Sequence, residues 1–362
     1  MVAIVARFSF ATWGSLGLPV KSSDFRLYFA AARIGTRAGW AHIYDTALQR
    51  QSVSAIAPGT KWLPFVTPPP LAWLIAPLTL VPYPVAVGVW SSLVVAAGIL
   101  ASQLAAQPGL GSRSVIAASL IAFPPFLMGI GYGQVVMIVM LSLVACWVFL
   151  RIGRDVIAGI ALAGILFKPQ LAFLVPVALI TCGRRRAALG FAGTGLALAA
   201  AAALSLNASG VDQYQNLIKE VAALKGQRGL TFLALIGPLG VPAGAALGVT
   251  ALLVARRHRR ASVEVPMAVA TLASVLLTPY LNLPDFVILL VPGWLLLRGA
   301  SSPWEVGILA SAWVVAAMAF TLGTFFMYLA ALALGVLTFL RVPMPQAREG
   351  GTEVPDHVGL AG

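Results

Sequence analysis

Asp24 is the first acidic residue of the chain, and it precedes a short segment with helical periodicity. Tyr28 and Phe29 fall on one face of this segment, whereas Arg26 and Arg33 fall on another. A helix of this kind suits a membrane–water interface, with Asp24 as its N-cap. A carboxylate held there could accept a proton from a substrate hydroxyl, so we predict that Asp24 is a catalytic base.

Three further polar side chains stand in short turns between apolar runs. Gln134 and Gln170 carry amides that suit sugar hydroxyls, although helix capping explains them equally well. Lys168 lies among apolar residues, where an ammonium group requires water or an anion. A phosphate would satisfy it. Arg26 and Arg33 could bind the same phosphate, or they could anchor their helix to lipid headgroups.

Two more acids and two tyrosines complete the candidate site. Asp45 could contribute to a site or cap the helix that follows it, and Asp285 could orient a substrate or only start a helix. Tyr44 and Tyr280 could stack on a sugar ring, but aromatic residues are common at membrane interfaces.

The elements that position these residues are apolar helices. The chain has 362 residues, of which 60% are hydrophobic and 10% are charged. Repeated apolar runs of about twenty residues are typical of an all-α, polytopic membrane protein. The net charge of +13 comes from short basic clusters between these runs, which is the pattern of membrane loops, so no nucleic-acid partner is expected. The three histidines are scattered, and no metal site is predicted.

Placing the basic clusters on the cytoplasmic side gives a consistent topology. Residues 1–341 form the transmembrane domain, residues 21–83 its first extracytoplasmic loop with interfacial or re-entrant helices, and residues 342–362 a disordered cytoplasmic tail. About twelve spans are expected: one within 1–20, then 84–106, 114–131, 134–150, 155–167, 170–182, 187–206, 230–255, 263–281, 285–298, 303–321 and 323–340. The turns at 131–134, 168–170, 207–229 and 278–285 then share one side with Asp24.

Lys168 is expected at the tip of a hairpin. Only 29 residues separate Arg154 from Arg184, and both should lie inside. Two half-length helices of about thirteen residues rise about 20 Å each, so their tip stops within a hydrocarbon core of about 30 Å. The alternative is one long tilted helix from which Lys168 reaches the interface.

Six short pieces occur in the order and at the spacing of a known family, over about residues 20–295. They are Asp24-Phe25 with Tyr28 and Ala31-Ala32; Ile43-Tyr44-Asp45; Thr67-Pro68-Pro69-Pro70-Leu71; Gly131-Tyr132-Gly133-Gln134; Lys168-Pro169-Gln170; and Thr278-Pro279-Tyr280 followed by Asp285. In these pieces the chain resembles the GT-C superfamily of membrane glycosyltransferases. It is similar above all to glycosyltransferase family 87, which includes polyprenyl-phosphomannose-dependent mannosyltransferases.

The resemblance implies a GT-C-like fold and transfer of a sugar from a polyprenyl-phosphate carrier to a lipid or glycan hydroxyl. The sugar would be mannose or another hexose, with arabinose as an alternative. The reaction would occur on the extracytoplasmic face of the plasma (inner) membrane, without a cofactor. Phosphate is a good leaving group, so one carboxylate suffices, and single displacement inverts the anomeric centre.

Two other functions fit the residues. A transporter or flippase of a lipid-linked or polar solute would explain an intramembrane lysine, although it would not explain the acid-bearing loop after residue 20. An inactive assembly partner of a cell-envelope complex is the third reading.

Overall fold

The computed structural model describes residues 24–60, 62–223, 231–260, 262–300, 302–322 and 325–341. The predicted first span within 1–20 and the predicted tail at 342–362 lie outside these residues. The described part of the chain is helical and contains no strand. The expectation of an all-α architecture is therefore confirmed.

Between Asp24 and the first long apolar helix, the described residues form three short α-helices. They are α1 (Phe25–Ala38), α2 (Thr46–Ile56) and α3 (Pro69–Ile75), with 3₁₀ turns at Trp40–His42 and Ala76–Leu80. The prolines that open α3 have no N–H to lose at a helix start, which is where proline is tolerated.

The arginines of α1 differ in exposure. Arg26 is only 5% exposed, and Arg33 is partly buried, whereas Arg37 is exposed. The reason is that α1 packs against α2, α3 and the Ala76–Leu80 turn, so it is covered on more than one side.

The remainder of the chain forms thirteen α-helices within the described residues. They are α4 (Tyr83–Ala105), α5 (Leu110–Ile121), α6 (Pro124–Tyr132), α7 (Val136–Arg151), α8 (Asp155–Leu162), α9 (Leu174–Thr181), α10 (Arg185–Ala223), α11 (Phe232–Leu235), α12 (Gly240–Arg257), α13 (Glu264–Leu277), α14 (Leu290–Arg298), α15 (Pro303–Leu322) and α16 (Phe325–Leu340). Additional 3₁₀ segments occupy Ala163–Phe167, Pro169–Leu171, Gly237–Leu239 and Leu283–Leu289.

Three described helices are long and apolar enough to cross a membrane: Tyr83–Ala105, Arg185–Ala222 and Gly237–Arg257. The pair Gly111–Ile121 and Pro124–Tyr132, bent by 59°, makes a fourth if it forms one broken span. The expected count of about twelve spans is therefore not confirmed. Several of the other apolar runs are divided into shorter helices by prolines or 3₁₀ segments.

The polar segment expected as a loop over 207–229 is helical up to Ala223. Asn207 breaks helical geometry with φ 52° and ψ −173°, and its Oδ1 accepts a hydrogen bond from Gly210 N at 3.3 Å. Asn207 thus ends one helix and caps the next, a position for which asparagine is well suited. The second part of α10 packs against the Trp40–His42 turn, where Tyr214 meets Tyr44 with ring centroids 4.5 Å apart.

Helices α8 and α10 approach each other closely at two glycines. A Cβ on Gly159 would lie 2.0 Å from Ala187 O, and one on Gly190 would lie 2.4 Å from Val156 O. Neither contact can be accommodated without moving backbone, so the crossing depends on small residues.

We expect Gly190→Ala to destabilise the protein by about 1–3 kcal/mol, because the added methyl group forces α8 and α10 apart. The thermal unfolding midpoint in detergent measures the effect. Gly193→Ala is the matched control, since it lies on the same helix and its Cβ would meet nothing within 4 Å. Equal midpoints for the two variants would contradict the close crossing.

Candidate active site

Four polar residues from four separate breaks in the helices meet inside the protein, and we call them the polar cluster. Asp24 precedes α1, and Gln134 follows α6. Lys168 lies between the Ala163–Phe167 and Pro169–Leu171 turns, and Asp285 lies in the first turn of Leu283–Leu289. Each of the four was predicted as a site residue, and the structure brings all of them together.

The amide of Gln134 joins the two halves of the polar cluster. Its Nε2 donates a hydrogen bond to Asp24 Oδ2, and its Oε1 accepts one from Lys168 Nζ at 2.7 Å. Lys168 also donates to Asp285 Oδ1 and forms an ion pair with it. Because an ammonium group can only donate, Lys168 determines which end of the amide faces it. The N–H end of Gln134 must then face Asp24.

Three members of the polar cluster are largely withdrawn from solvent, and Asp24 is partly buried. The exposed fraction is 1% for Gln134 and 0% for Asp285, and the side chain of Lys168 is 11% exposed. The polar cluster contains two acidic side chains and one basic side chain. A buried charge is tolerated only when it is paired or hydrogen-bonded. Lys168 forms an ion pair with Asp285, and the Asp24 carboxylate accepts a hydrogen bond from Gln134.

The turn that carries Gln134 has a specific backbone requirement. Gly133 adopts a left-handed conformation with φ 67°, which a glycine reaches without strain. Its carbonyl accepts a hydrogen bond from Trp90 Nε1 at 2.8 Å, and Gln134 N donates to Gly129 O at 2.8 Å. These bonds hold the turn between α6 and α7 and aim Gln134 at Asp24.

Both carboxylate oxygens of Asp285 accept hydrogen bonds from neighbours within the protein. Its Oδ1 accepts from Lys168, and its Oδ2 accepts from the backbone N of Asn282 at 3.0 Å. Asn282 and Asp285 form a capping box at the start of the Leu283–Leu289 helix. Asp285 therefore starts a helix and also contacts Lys168. Its predicted role in orienting a substrate stays a prediction.

Asp24 occupies the N-cap position of α1, but its side chain makes no capping hydrogen bond. The capping interaction expected from the sequence is therefore wrong. The carboxylate instead accepts from Gln134, and the backbone N of Asp24 donates to Tyr132 O at 3.2 Å. Both contacts tie the start of α1 to the turn at the end of α6.

Lys168 does lie at the tip of a hairpin. Asp155 begins α8 and Arg184 follows α9, yet Arg184 Nη1 lies 3.3 Å from Asp155 Oδ1. The two ends of the segment therefore meet, which one continuous helix could not achieve. The anion that the sequence required for Lys168 is supplied by Asp285.

Two tyrosines border the polar cluster. Burial raises the pKa of the Tyr28 phenol, and the neighbouring carboxylates of Asp24 and Asp285 raise it further. Burial also raises the pKa of Tyr280, which lies near the same two carboxylates, while its hydrogen bond with Asn282 opposes the rise. Both phenols are therefore neutral at physiological pH. Tyr280 was a predicted site residue, whereas Tyr28 was read only as part of the apolar face of α1.

Other predicted site residues make different contacts. Asp45 Oδ1 accepts from Ala47 N at 2.8 Å and Leu48 N at 3.0 Å, so its side chain caps α2. The Tyr44 hydroxyl donates to Thr67 O at 2.8 Å, and its ring packs between Phe65 and Tyr214.

Gln170 follows Lys168 in the same turn, but within the described residues no hydrogen bond joins its amide to the polar cluster. Arg26 and Arg33 lie on α1, in its first and third turns. Across the described ranges, no group of three or more His, Cys, Asp or Glu residues is arranged to hold a metal ion.

A separate apolar cavity of about 440 Å³ lies between α5, α14, α15 and α16. It contains no residue of the polar cluster. The hydroxyl and carbonyl oxygens of Ser119 in its wall already accept hydrogen bonds from the indole groups of Trp294 and Trp313, each at 3.0 Å. The polar side chains that could take part in a reaction therefore lie in the polar cluster and not in this cavity.

The fold and this site define a helical membrane protein with a buried, charged centre built from the breaks between its helices. The chain matches the model of glycosyltransferase family 87 over residues 65–279. This match covers more than half of the chain, which therefore belongs to that family of glycosyltransferases. Comparisons with curated proteins and with solved structures returned no match. Gln134 and Lys168 lie within the matched residues, whereas Asp24 and Asp285 lie outside them.

Proposed function

We propose that this glycosyltransferase is an inverting enzyme that uses a polyprenyl-phosphate-linked sugar, with Asp24 as its general base. The donor sugar is mannose or another hexose, and the acceptor is a lipid or glycan hydroxyl on the extracytoplasmic face of the plasma membrane. The observation that carries the proposal is the hydrogen bond from Gln134 to the Asp24 carboxylate inside the polar cluster. Family membership supplies the reaction class.

The proposed chemistry needs one carboxylate. The acceptor oxygen attacks the anomeric carbon from the side opposite the phosphate, the carbon–oxygen bond to phosphate breaks, and the acceptor proton passes to Asp24. A retaining mechanism would need a second carboxylate as nucleophile about 5 Å away. Asp285 is the only other acid of the polar cluster, and both of its oxygens are already engaged. This supports single displacement with inversion.

The donor phosphate is assigned to Lys168. An ammonium group has three N–H donors, and Lys168 uses two of them on Gln134 and Asp285. The third can donate to a phosphate oxygen. Arg26 and Arg33 are two of the three arginines of α1, the helix that follows Asp24. We assign these two to the same phosphate or to its lipid surroundings.

Gln134 is proposed to position the base. We expect Gln134→Glu to lower the rate of transfer about tenfold or more, because a second carboxylate beside Asp24 removes the N–H donor and repels the base. The loss should shrink as the pH is lowered, since protonation of the introduced carboxylate restores a neutral donor. A merely structural defect would not give this pH dependence. The measurement is the pH profile of transfer for the wild type and the variant.

The test of the proposed function is a transfer assay in reconstituted vesicles. Radiolabelled polyprenyl-phosphate mannose, glucose and arabinose are each offered with membrane lipid and glycan extracts. We expect label to move from one donor to an extractable product, with inverted configuration at the anomeric carbon. A labelled donor that crosses the vesicle membrane without any transfer would instead favour a flippase.

A further inference from the structure

Two basic loops that are distant in the sequence form one surface. Cys182 Sγ donates to Ala255 O at 3.2 Å, which joins the end of α9 to the last turn of α12. The charges of both Arg184 and Arg259 act on this thiol. We call the residues of these two loops the arginine surface: Arg184, Arg185, Arg186, Arg256, Arg257, Arg259 and Arg260.

The arginine surface carries far more positive charge than its neighbours neutralise. Asp155 pairs with Arg184. Among the residues that the structure describes, no ion pair involves the four arginines of the second loop. All four are exposed, and together with Leu253 they line an open surface depression of about 450 Å³. Like charges gathered in one place repel unless an anion is shared among them.

An exposed apolar face leads directly to these arginines. Val249 and Leu253 are exposed on α12, and at helical spacing they share a face with Arg256 and Arg257. This helix belongs to one of the three segments that could span a membrane. The surface therefore presents an apolar stripe that ends in a group of cations. A phospholipid has the matching order, with apolar acyl chains that end in a charged phosphate.

We propose that the arginine surface binds the phosphate headgroup of an anionic phospholipid, with its acyl chains along Val249 and Leu253. Guanidinium groups match phosphate oxygens in pairs, which favours arginine over a simple point charge. Charge complementarity and the adjoining apolar face both identify a lipid as the occupant. This site is separate from the polar cluster and does not depend on the proposed sugar transfer.

The test is a titration of the purified full-length protein with short-chain phosphatidylglycerol, read by native mass spectrometry and by the thermal unfolding midpoint. Phosphatidylcholine with the same chains should bind at least about tenfold more weakly, and added salt should weaken phosphatidylglycerol binding. Arg256→Gln with Arg259→Gln should lower the affinity for phosphatidylglycerol roughly 25-fold, since each cation near a headgroup contributes about 1 kcal/mol.

Arg37→Gln with Arg113→Gln is the matched control, because both arginines are exposed elsewhere and the loss of charge is the same. This control should keep the wild-type affinity. Equal binding of the two lipids, equal losses in the two double variants, or inorganic phosphate binding as tightly as phosphatidylglycerol would each overturn the proposal. The last result would indicate a site for a free anion.

Discussion

Asp24→Asn is expected to lower sugar transfer by about 100-fold or more, because the amide cannot accept the acceptor proton. The substitution preserves the size of the side chain. Its oxygen can still accept the hydrogen bond from Gln134 Nε2, so the turn and α1 should keep their positions. The assay is initial-rate transfer in reconstituted vesicles at matched protein levels.

Asp212→Asn is the matched control for this experiment. Asp212 is an exposed acid on α10, and its substitution should leave the transfer rate unchanged. The thermal unfolding midpoint of Asp24→Asn should equal that of the wild type. If Asp24→Asn transfers sugar within about threefold of the wild-type rate, general-base catalysis by Asp24 is wrong.

Lys168→Met is expected to reduce both stability and transfer. Removal of one partner from a buried ion pair costs about 3–5 kcal/mol, because the remaining charge is left buried without compensation. Here the loss leaves Asp285 without its cation and Gln134 without the donor that orients its amide. Lys168→Met with Asp285→Leu should regain much of the stability, since no buried charge of this pair then stays unpaired. Transfer should stay low in both variants, because the proposed phosphate ligand is absent.

A second buried ion pair provides the control. Arg341 Nε and Glu305 Oε1 lie 2.9 Å apart, and both side chains are largely buried. Glu305→Gln should therefore lower the unfolding midpoint while the transfer rate per folded molecule stays at the wild-type value. If Lys168→Met retains wild-type stability, the ion pair with Asp285 does not stabilise the fold as proposed. If it also retains wild-type transfer, Lys168 does not bind the donor phosphate.

The polar members of the site could be predicted from the sequence because charges and amides are conspicuous between apolar runs. Lys168 was identified by the short distance between two basic loops, and Gln134 and Asp285 by their places in turns. What the sequence could not reveal is that these side chains bind each other. Asp24 meets a partner 110 residues away, and no local pattern encodes that contact. The local rule therefore predicted a helix cap that does not form.

The remaining differences have related causes. Tyr28 reads as one more aromatic residue of an apolar face, and only its proximity to the carboxylates of Asp24 and Asp285 places it beside the polar cluster. The burial of Arg26 depends on helices that pack over α1 from later in the chain. The span count rests on lengths of apolar runs, but several runs are divided by proline or by 3₁₀ turns. The helix after Asn207 packs on the turn that follows α1, so it needs no long apolar face. Its sequence is therefore polar enough to resemble a loop.

The most direct test of the account is transfer to azide by Asp24→Ala. Azide attacks the anomeric carbon as an anion and carries no proton, so it needs no base, while the phosphate leaves as in the normal reaction. We predict that the variant fails with hydroxyl acceptors but converts the polyprenyl-phosphate donor to a glycosyl azide of inverted configuration. A folded variant that binds the donor yet forms no glycosyl azide would contradict the role of Asp24 as the base.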